Sequence, residues 1–334
     1  MRQIVVEAFG GPEALVLREV PEPVPPADGW LLETRAIGVN FADVVGRRGH
    51  YTKDARCPFF PGLEASGVIV AAGPQARGFE RGERVLTLDF AGGCYAERIA
   101  VGPGDVLRGP AGFSFEELAA FSATFGTAWY AMHEIARARR GESALIMAAA
   151  GAVGTAAVTL ARSHGMRPVI GAAGSADKCA FVREVGADDC IDYGRQDLRE
   201  AVLSLTGGRG VDYALESVGG VALEAAIAAL ASMGRLVTIG YSSVGDGHAD
   251  AIKRIHPITL FQRSISVGGL NVNNLRIAGR HKEWAALVAH VERHKLRPVI
   301  GQTWPLEQAA AAHAALEGRQ TRGKVLLIPE LAAR

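Results

Sequence analysis

The sequence predicts a two-domain α/β protein, in which a β-rich domain accompanies a doubly wound parallel sheet. Its 334 residues exceed the length of a usual single domain, which is roughly 100 to 200 residues. In residues 1–121, short apolar runs are separated by Gly- and Pro-rich turns, as is typical of closely spaced strands. From Gly141 onward, strand-like runs alternate with helical stretches, which indicates βαβ units and a parallel sheet.

The strand-like runs of the first part are IVVEAF, ALVLREV, WLLETRAIGV, ASGVIVAAG, ERVLTL and CYAERIAV. After Pro110 the apolar residues take helical spacing, with Ser114 and Thr124 as candidate N-caps. The βαβ part predicts helices at residues 152–164, 178–185, 198–206 and 222–231.

The end of the chain breaks the alternation of strands and helices. It predicts two helices, at about residues 280–294 and 307–318, and then the strand KVLLIP. We therefore assign it to the first domain. The predicted β-rich domain comprises residues 1–122 and 271–334, and the predicted parallel-sheet domain comprises residues 123–270.

Composition and charge exclude several classes of function. Hydrophobic residues make up 49% and charged residues 21%, which is typical of an ordinary globular protein. The net charge is +1 and no run of Lys or Arg is present, so a nucleic-acid partner is not expected. The four cysteines form no C-x-x-C pair, which suits a reducing compartment. No signal peptide or membrane span is apparent, so a cytoplasmic location is expected.

The most informative motif is the stretch ALIMAAAGAVG, residues 144–154. A buried strand leads into a turn that matches G-x-G-x-x-G, with Ala149 in place of the first glycine. Gly151 would let the backbone approach a pyrophosphate, and Gly154 would let the following helix pack on the strand. The N–H groups at the start of this helix would bind the anion, so the candidate contacts include Ala150, Ala152 and Val153. The alternative is that these small residues serve only close packing.

The end of the next strand favours NADPH as the cofactor. In an NAD site this strand ends in an acid that binds the ribose 2′-hydroxyl. Here PVIGAA is followed by Gly174 and Ser175, and no acid stands at the strand tip. Ser175 and Lys178 would suit a 2′-phosphate as donor and counter-charge. A plain helix N-cap at Ser175 with a solvated Lys178 is the alternative.

These residues resemble the medium-chain dehydrogenase/reductase superfamily, and within it the zinc-free quinone oxidoreductases related to zeta-crystallin. The resemblance covers nearly the whole chain, through GGPEAL, AIGVNFADVVGRRGHY, PGLEASGVI, GERV, AAAGAVG, TGGRGVDYALESVGG and GRQTRGKVLLIP. It implies a GroES-like catalytic domain built from both ends of the chain, with a Rossmann domain between them. It also implies a homodimer, in which SISVGGL from two subunits could pair as edge strands.

The resemblance further implies that zinc is absent. Zinc-dependent members of the superfamily hold the metal partly with a Cys and a His, and here Asn40 and Leu63 occupy those positions. The structural four-cysteine lobe of those enzymes is missing as well. A carbonyl would then have to be polarised by hydrogen-bond donors.

By position, the family pattern places Asn40 and Tyr51 beside the nicotinamide and the substrate as catalytic residues. A turn-capping role for Asn40 and a surface position for Tyr51 are the alternatives. The other residues that the resemblance assigns to the cofactor are Thr127, Ser175, Lys178, Tyr193, Gly240, Tyr241, Ser242, Leu270 and Arg319.

The sequence therefore predicts an NADPH-dependent quinone oxidoreductase that transfers hydride to a conjugated carbonyl. Tyr241 and residues 268–271 depart from the usual pattern near the substrate, so reduction of activated C=C bonds stays open. In that reaction Tyr51 would protonate the carbon α to the carbonyl. A non-catalytic protein that binds NADPH or RNA is the third hypothesis.

Overall fold

The structure, a computed structural model, describes residues 1–51, 54–88, 92–242, 255–272, 274 and 281–329. It divides into two compact units, one formed by Met1–Ala123 and Val288–Arg334 and the other by Thr124–Leu287. The first boundary lies beside the predicted residue 122, whereas the second lies later than the predicted residue 271. A β-carbon at Gly126 would be 3.7 Å from the ring of Trp284, so residues before Leu287 pack within the second unit.

The first unit is built on a sheet whose strands come from both ends of the chain. The strands of this unit are β1 (Arg2–Val5), β2 (Val16–Glu19), β3 (Trp30–Val39), β4 (Glu64–Ala72), β5 (Arg84–Leu88), β6 (Arg98–Val101), β7 (Val106–Leu107), β14 (Ile300–Pro305) and β15 (Lys324–Ile328). β1 and β2 form a separate two-stranded sheet. The order β14–β15–β3–β4–β5–β7 places the C-terminal strand β15 beside β3 and β14 on the far side of β15, and β3 also pairs with β6. β14 was not expected from the sequence.

Among the described residues, three α-helices lie within the first unit and two more cross its boundary, beside the short 3-10 helices Pro12–Ala14 and Leu306–Gln308. Those within it are α1 (Phe41–Arg47), α2 (Phe115–Ala119) and α10 (Ala309–Glu317), and those that cross are α3 (Ser122–Tyr130) and α9 (His281–His294). Residue 280, the predicted start of α9, lies outside the described residues. The helix α1, which directly follows β3, was not predicted from the sequence. That helix forms because the Asp43 carboxylate accepts the N–H of Asn40 at 2.8 Å and thereby caps the first turn.

The second unit has the doubly wound parallel sheet that the sequence predicts. Its strands are β8 (Ala144–Ile146), β9 (Val169–Ala173), β10 (Asp189–Asp192), β11 (Val211–Glu216), β12 (Leu230–Thr238) and β13 (Ser266–Gly269). They are parallel and follow the order β10–β9–β8–β11–β12–β13. Its helices are α4 (Ala152–His164), α5 (Ala176–Val185), α6 (Leu198–Leu205), α7 (Gly220–Ala228) and α8 (Pro257–Arg263). The strand order reverses beside β8, where sheets of this kind bind dinucleotides.

One predicted helix extends too far. Residues 222–231 are Ala-rich and favour a helix, but α7 ends at Ala228 and β12 begins at Leu230. Leu230 pairs with Val211 of β11, so sheet pairing overrides the local helix propensity. α8 is a helix that the sequence did not lead us to expect. Within the described ranges, every helix is too short or too polar to cross a lipid bilayer.

Candidate active site

The turn after β8 has the shape of a phosphate-binding loop. Ala149 and Ala150 are buried, and Gly151 stands in extended conformation as the N-cap of α4. A β-carbon at Gly154 would lie 2.6 Å from the Cα of Ala149, so α4 packs directly on the turn and only glycine fits there. The first N–H groups of a helix have no carbonyl partner within that helix. The turn therefore presents an anion site at the start of α4.

The tip of β9 carries hydroxyl and amine groups. Ser175 is the N-cap of α5, and its Oγ accepts the N–H of Lys178 at 3.3 Å. Tyr193 lies at the same tip, because a β-carbon on Gly174 would be 3.3 Å from its Oη. The capping alternative for Ser175 is therefore present, while its hydroxyl proton can still be donated. These side chains fit a phosphate ester better than a ribose hydroxyl.

Most of the other predicted cofactor residues of the second unit follow its strands. Gly240, Tyr241 and Ser242 come after β12, where the N–H of Ser242 donates to Ser217 at 3.0 Å. Leu270 is buried directly after β13, and its N–H donates to Thr238 at 2.9 Å. All of them lie at the carboxyl edge of the sheet, as the phosphate loop does. Thr127 is buried within α3. Their contacts with a cofactor stay predictions.

Asn40 lies at the end of β3 with its amide engaged inside the first unit. Its Nδ2 donates to Glu64 Oε1 at 3.0 Å and to the carbonyl of Gly38 at 3.3 Å. Its Oδ1 accepts from the ammonium of Lys324 at 2.7 Å. Both amide donors are thus used locally, and donation to a substrate would require one of these bonds to break. These bonds join Asn40 to a buried polar network, and its contact with a substrate stays a prediction.

The charged pair that contacts Asn40 was not predicted from the sequence. Glu64 and Lys324 form a salt bridge in which both side chains are almost completely buried. The second oxygen of Glu64 accepts the hydroxyl of Ser122 at 2.6 Å and the N–H of Ala123 at 2.8 Å. The sequence signal for this pair was a charged residue at the start of each of two buried strands, Glu64 in GLEASGV and Lys324 in GKVLL. Such a residue needs a buried partner.

Tyr51 and Arg319 are the other predicted residues of the first unit. Tyr51 is partly exposed and follows α1, and Arg319 is exposed and follows α10 with a φ of 55°. In the described part of the chain, no group of three or more His, Cys, Asp or Glu side chains is placed to hold a metal ion.

The chain matches two family models and is similar to characterised proteins over nearly its full length. Residues 26–127 match the alcohol dehydrogenase GroES-like domain, and residues 185–327 match the zinc-binding dehydrogenase model. A quinone oxidoreductase from Lama guanicoe is 33% identical, with 98% of this chain and 97% of that protein covered.

Solved structures agree with this similarity. The Escherichia coli quinone oxidoreductase in complex with NADPH is 29% identical, with a TM-score of 0.89 over 98% of this chain and 100% of that one. An NAD-dependent alcohol dehydrogenase is 31% identical, with a TM-score of 0.86 over 98% of this chain and 99% of that one. The chain belongs to the quinone oxidoreductase family of the medium-chain dehydrogenases/reductases.

Proposed function

We propose that this protein is an NADPH-dependent, zinc-independent oxidoreductase that transfers hydride to a conjugated carbonyl compound, with quinones as the first class of acceptor. The observation that carries the proposal is the phosphate loop at Gly151 together with the acid-free tip of β9. The full-length similarity to quinone oxidoreductases supports the type of reaction. The similar NAD-dependent enzyme makes the choice of cofactor a point to be tested.

In this proposal NADPH supplies the hydride from its nicotinamide ring. Gly151 and the start of α4 bind the pyrophosphate, as dinucleotide-binding turns do. The residues that bind the 2′-phosphate are Ser175, Lys178, Tyr193 and Arg319. Those assigned to the nicotinamide half are Thr127, Gly240, Tyr241, Ser242 and Leu270.

We assign polarisation of the acceptor to the hydroxyl of Tyr51. Asn40 and Leu63 occupy the positions of the zinc ligands, and neither side chain supplies a usual zinc donor. The amide donors of Asn40 are engaged by Glu64 and Gly38, and the family resemblance also places Tyr51 beside the substrate. A single neutral donor polarises a carbonyl less than a metal ion does. This weak activation suits quinones and enones, in which conjugation already lowers the barrier.

Reduction of an activated C=C bond is the second candidate. It is favoured by the departure from the usual pattern at Tyr241 and residues 268–271, and Tyr241 is 48% exposed at the sheet edge. The products distinguish the two reactions. Formation of a quinol from a quinone supports quinone reduction. Conversion of an enone in D2O to a saturated ketone that carries deuterium at the α-carbon supports reduction of the C=C bond.

The cofactor assignment predicts a change of preference in Lys178→Ala. Loss of the ammonium should raise the KM for NADPH by roughly 10- to 100-fold, because a hydrogen bond to a charged group contributes about 1.5–3 kcal/mol. The KM for NADH should not change. Steady-state kinetics with both cofactors measures this, and Lys282→Ala, on an exposed position of α9, is the matched control. An unchanged NADPH/NADH ratio in Lys178→Ala would show that the assignment is wrong.

The role of Tyr51 predicts that Tyr51→Phe lowers kcat by roughly 100-fold, because the variant loses a donor that acts on the reacting carbonyl. The Kd for NADPH should stay at its wild-type value. Tyr213→Phe is the control, because the Tyr213 hydroxyl is buried and has no hydrogen-bond partner among the described residues. Equal turnover by Tyr51→Phe and the wild type would remove Tyr51 from the mechanism.

We also propose a cytoplasmic homodimer. The four cysteines are free thiols, as in proteins of reducing compartments. β13 stands at the edge of its sheet, and an unpaired edge can pair with a second copy of the strand. Light scattering should give twice the mass of one 35.1 kDa chain, and a mass equal to one chain would contradict the dimer.

A further inference from the structure

We propose that Asp43 is a positioning residue that holds α1, and through it Tyr51, in place against the turn that precedes β4. The inference rests on the proposed function, because it takes Tyr51 as the residue that contacts the acceptor. Asp43 itself is 1% exposed and lies three residues after Asn40, so it acts through its neighbours.

The Asp43 carboxylate joins three separate segments of the first unit. Its Oδ2 accepts the N–H of Asn40 at 2.8 Å and the hydroxyl of Tyr95 at 3.2 Å. Its Oδ1 accepts the N–H of Gly62 at 3.0 Å. The start of α1, the turn before β4 and the segment before β6 therefore share one buried anion. Hydrogen bonds to a charged acceptor are roughly twice as strong as neutral ones.

The backbone conformation of Gly62 allows the turn to approach Tyr95 closely. Gly62 has a φ of 102°, which favours glycine. A β-carbon there would lie 2.7 Å from the backbone nitrogen of Tyr95. The turn thus approaches Tyr95 closely, and the N–H of Gly62 points at the Asp43 carboxylate.

The hydrogen bonds continue from Tyr95 into α10. Tyr95 Oη lies 2.9 Å from Nε2 of His313, which is completely buried. Burial, aided by the nearby charge of Arg47, lowers the pKa of His313 to about 3, so the ring is neutral. A carboxylate can only accept, so the Tyr95 hydroxyl donates to Asp43 and accepts from His313 Nε2–H. The direction of each bond in the chain follows from the charge on Asp43.

The surroundings of Asp43 contain groups that oppose its charge and groups that favour it. Burial raises its pKa to about 6, and Glu64 adds to this rise. The N–H groups of Asn40 and Gly62 and the charge of Lys324 oppose this rise, and about 6 is the net result. The carboxylate therefore predominates at pH 7, and in that form both of its oxygens accept hydrogen bonds.

The other end of α1 also contacts neighbouring segments. A β-carbon at Gly46 would be 2.6 Å from the ring of Phe59, so the helix packs closely on the turn before β4. The Arg47 side chain is fully buried and donates to Glu317 of α10 at 2.8 Å. Tyr51 follows Arg47 by four residues. Because a short helix moves as one rigid element, we expect a change at its first turn to tilt α1 about these contacts and to shift Tyr51. A displacement of about 1 Å can lower a rate roughly 100-fold.

The test compares the isosteric variant Asp43→Asn with Tyr95→Phe, which removes one contact of the same carboxylate. In Asp43→Asn we expect the kcat/KM for the acceptor to fall at least 10-fold, while the Kd for NADPH is unchanged. Hydrogen–deuterium exchange should rise in residues 40–51 and stay the same in α4. Tyr95→Phe should also lower the kcat/KM for the acceptor and raise the exchange in residues 40–51, but by less than Asp43→Asn. The double variant should lose less kcat/KM than the two single losses combined.

Asp105→Asn is the matched control, because Asp105 is another buried aspartate of the first unit, which accepts the N–H of Gly102 at 3.2 Å. It should lose stability without this loss of kcat/KM. If the wild type reduces an acceptor and a folded Asp43→Asn does so equally well, the positioning role is wrong while the function stands. If the wild type reduces none, the exchange data decide, and unchanged exchange in residues 40–51 overturns the inference. Should Asp43→Asn fail to fold, the same criteria apply to Tyr95→Phe.

Discussion

Replacing Lys324 with Met should lower the free energy of unfolding by about 3–5 kcal/mol, because it leaves the charge of a buried carboxylate without its partner. Lys324 and Glu64 are 1% and 0% exposed, so water cannot replace the lost ammonium. Lys324 also donates to Asn40 at 2.7 Å, and this bond is lost as well. Urea unfolding of the wild type and the variant measures the difference.

Two further variants isolate the effect of the pair. Glu64→Gln combined with Lys324→Met should lose less stability than the sum of the single changes, because no buried charge is then left alone. Arg199→Met breaks an exposed pair with Glu200 and should cost no more than about 1 kcal/mol. A loss in Lys324→Met as small as that in Arg199→Met would contradict the role of the buried pair.

Gly154→Ala should disturb the phosphate loop and weaken NADPH binding at least 10-fold. The new β-carbon would lie 2.6 Å from Ala149 Cα and 2.8 Å from Ala149 C, which are backbone atoms and cannot move alone. Overpacking of this kind costs about 1–3 kcal/mol, which exceeds the gain of up to about 1 kcal/mol in helix propensity. Thermal unfolding and titration with NADPH should therefore both change.

Gly151→Ala is the comparison for this prediction. Its β-carbon would be 3.3 Å from the Ala148 oxygen, and its φ of −80° is open to any residue. The variant should keep nearly the wild-type stability, yet it should bind NADPH less tightly because the backbone must approach the pyrophosphate. Wild-type stability and affinity in Gly154→Ala would show that close packing at this turn is not needed.

The parts predicted from the sequence are those that local patterns specify. The alternation of strands and helices after Gly141 predicts the parallel sheet, and the small residues at Gly151 and Gly154 mark the turn after β8. Both features depend on residues that lie near one another in the sequence. The overlong helix at residues 222–231 shows the limit of such patterns, because the pairing of Leu230 with Val211 is not local.

The buried polar network could not be predicted in the same way. Glu64 and Lys324 are 260 residues apart, and Asp43 and Tyr95 are separated by 52. A charged residue in an apolar run indicates that a partner exists, but it does not say which one. The engagement of Asn40 by this network was therefore hidden. α1 was missed for a different reason, because Asn40 and Asp43 stand at the spacing of a capping box, which is a local signal.

The most direct test of the central proposal is NADPH oxidation by the purified protein, followed at 340 nm with a quinone, with an enone and without acceptor. We expect oxidation that depends on the acceptor, prefers NADPH to NADH and persists after treatment with a zinc chelator. Absence of NADPH consumption with either acceptor would contradict the enzymatic proposal and would favour a non-catalytic protein that binds NADPH.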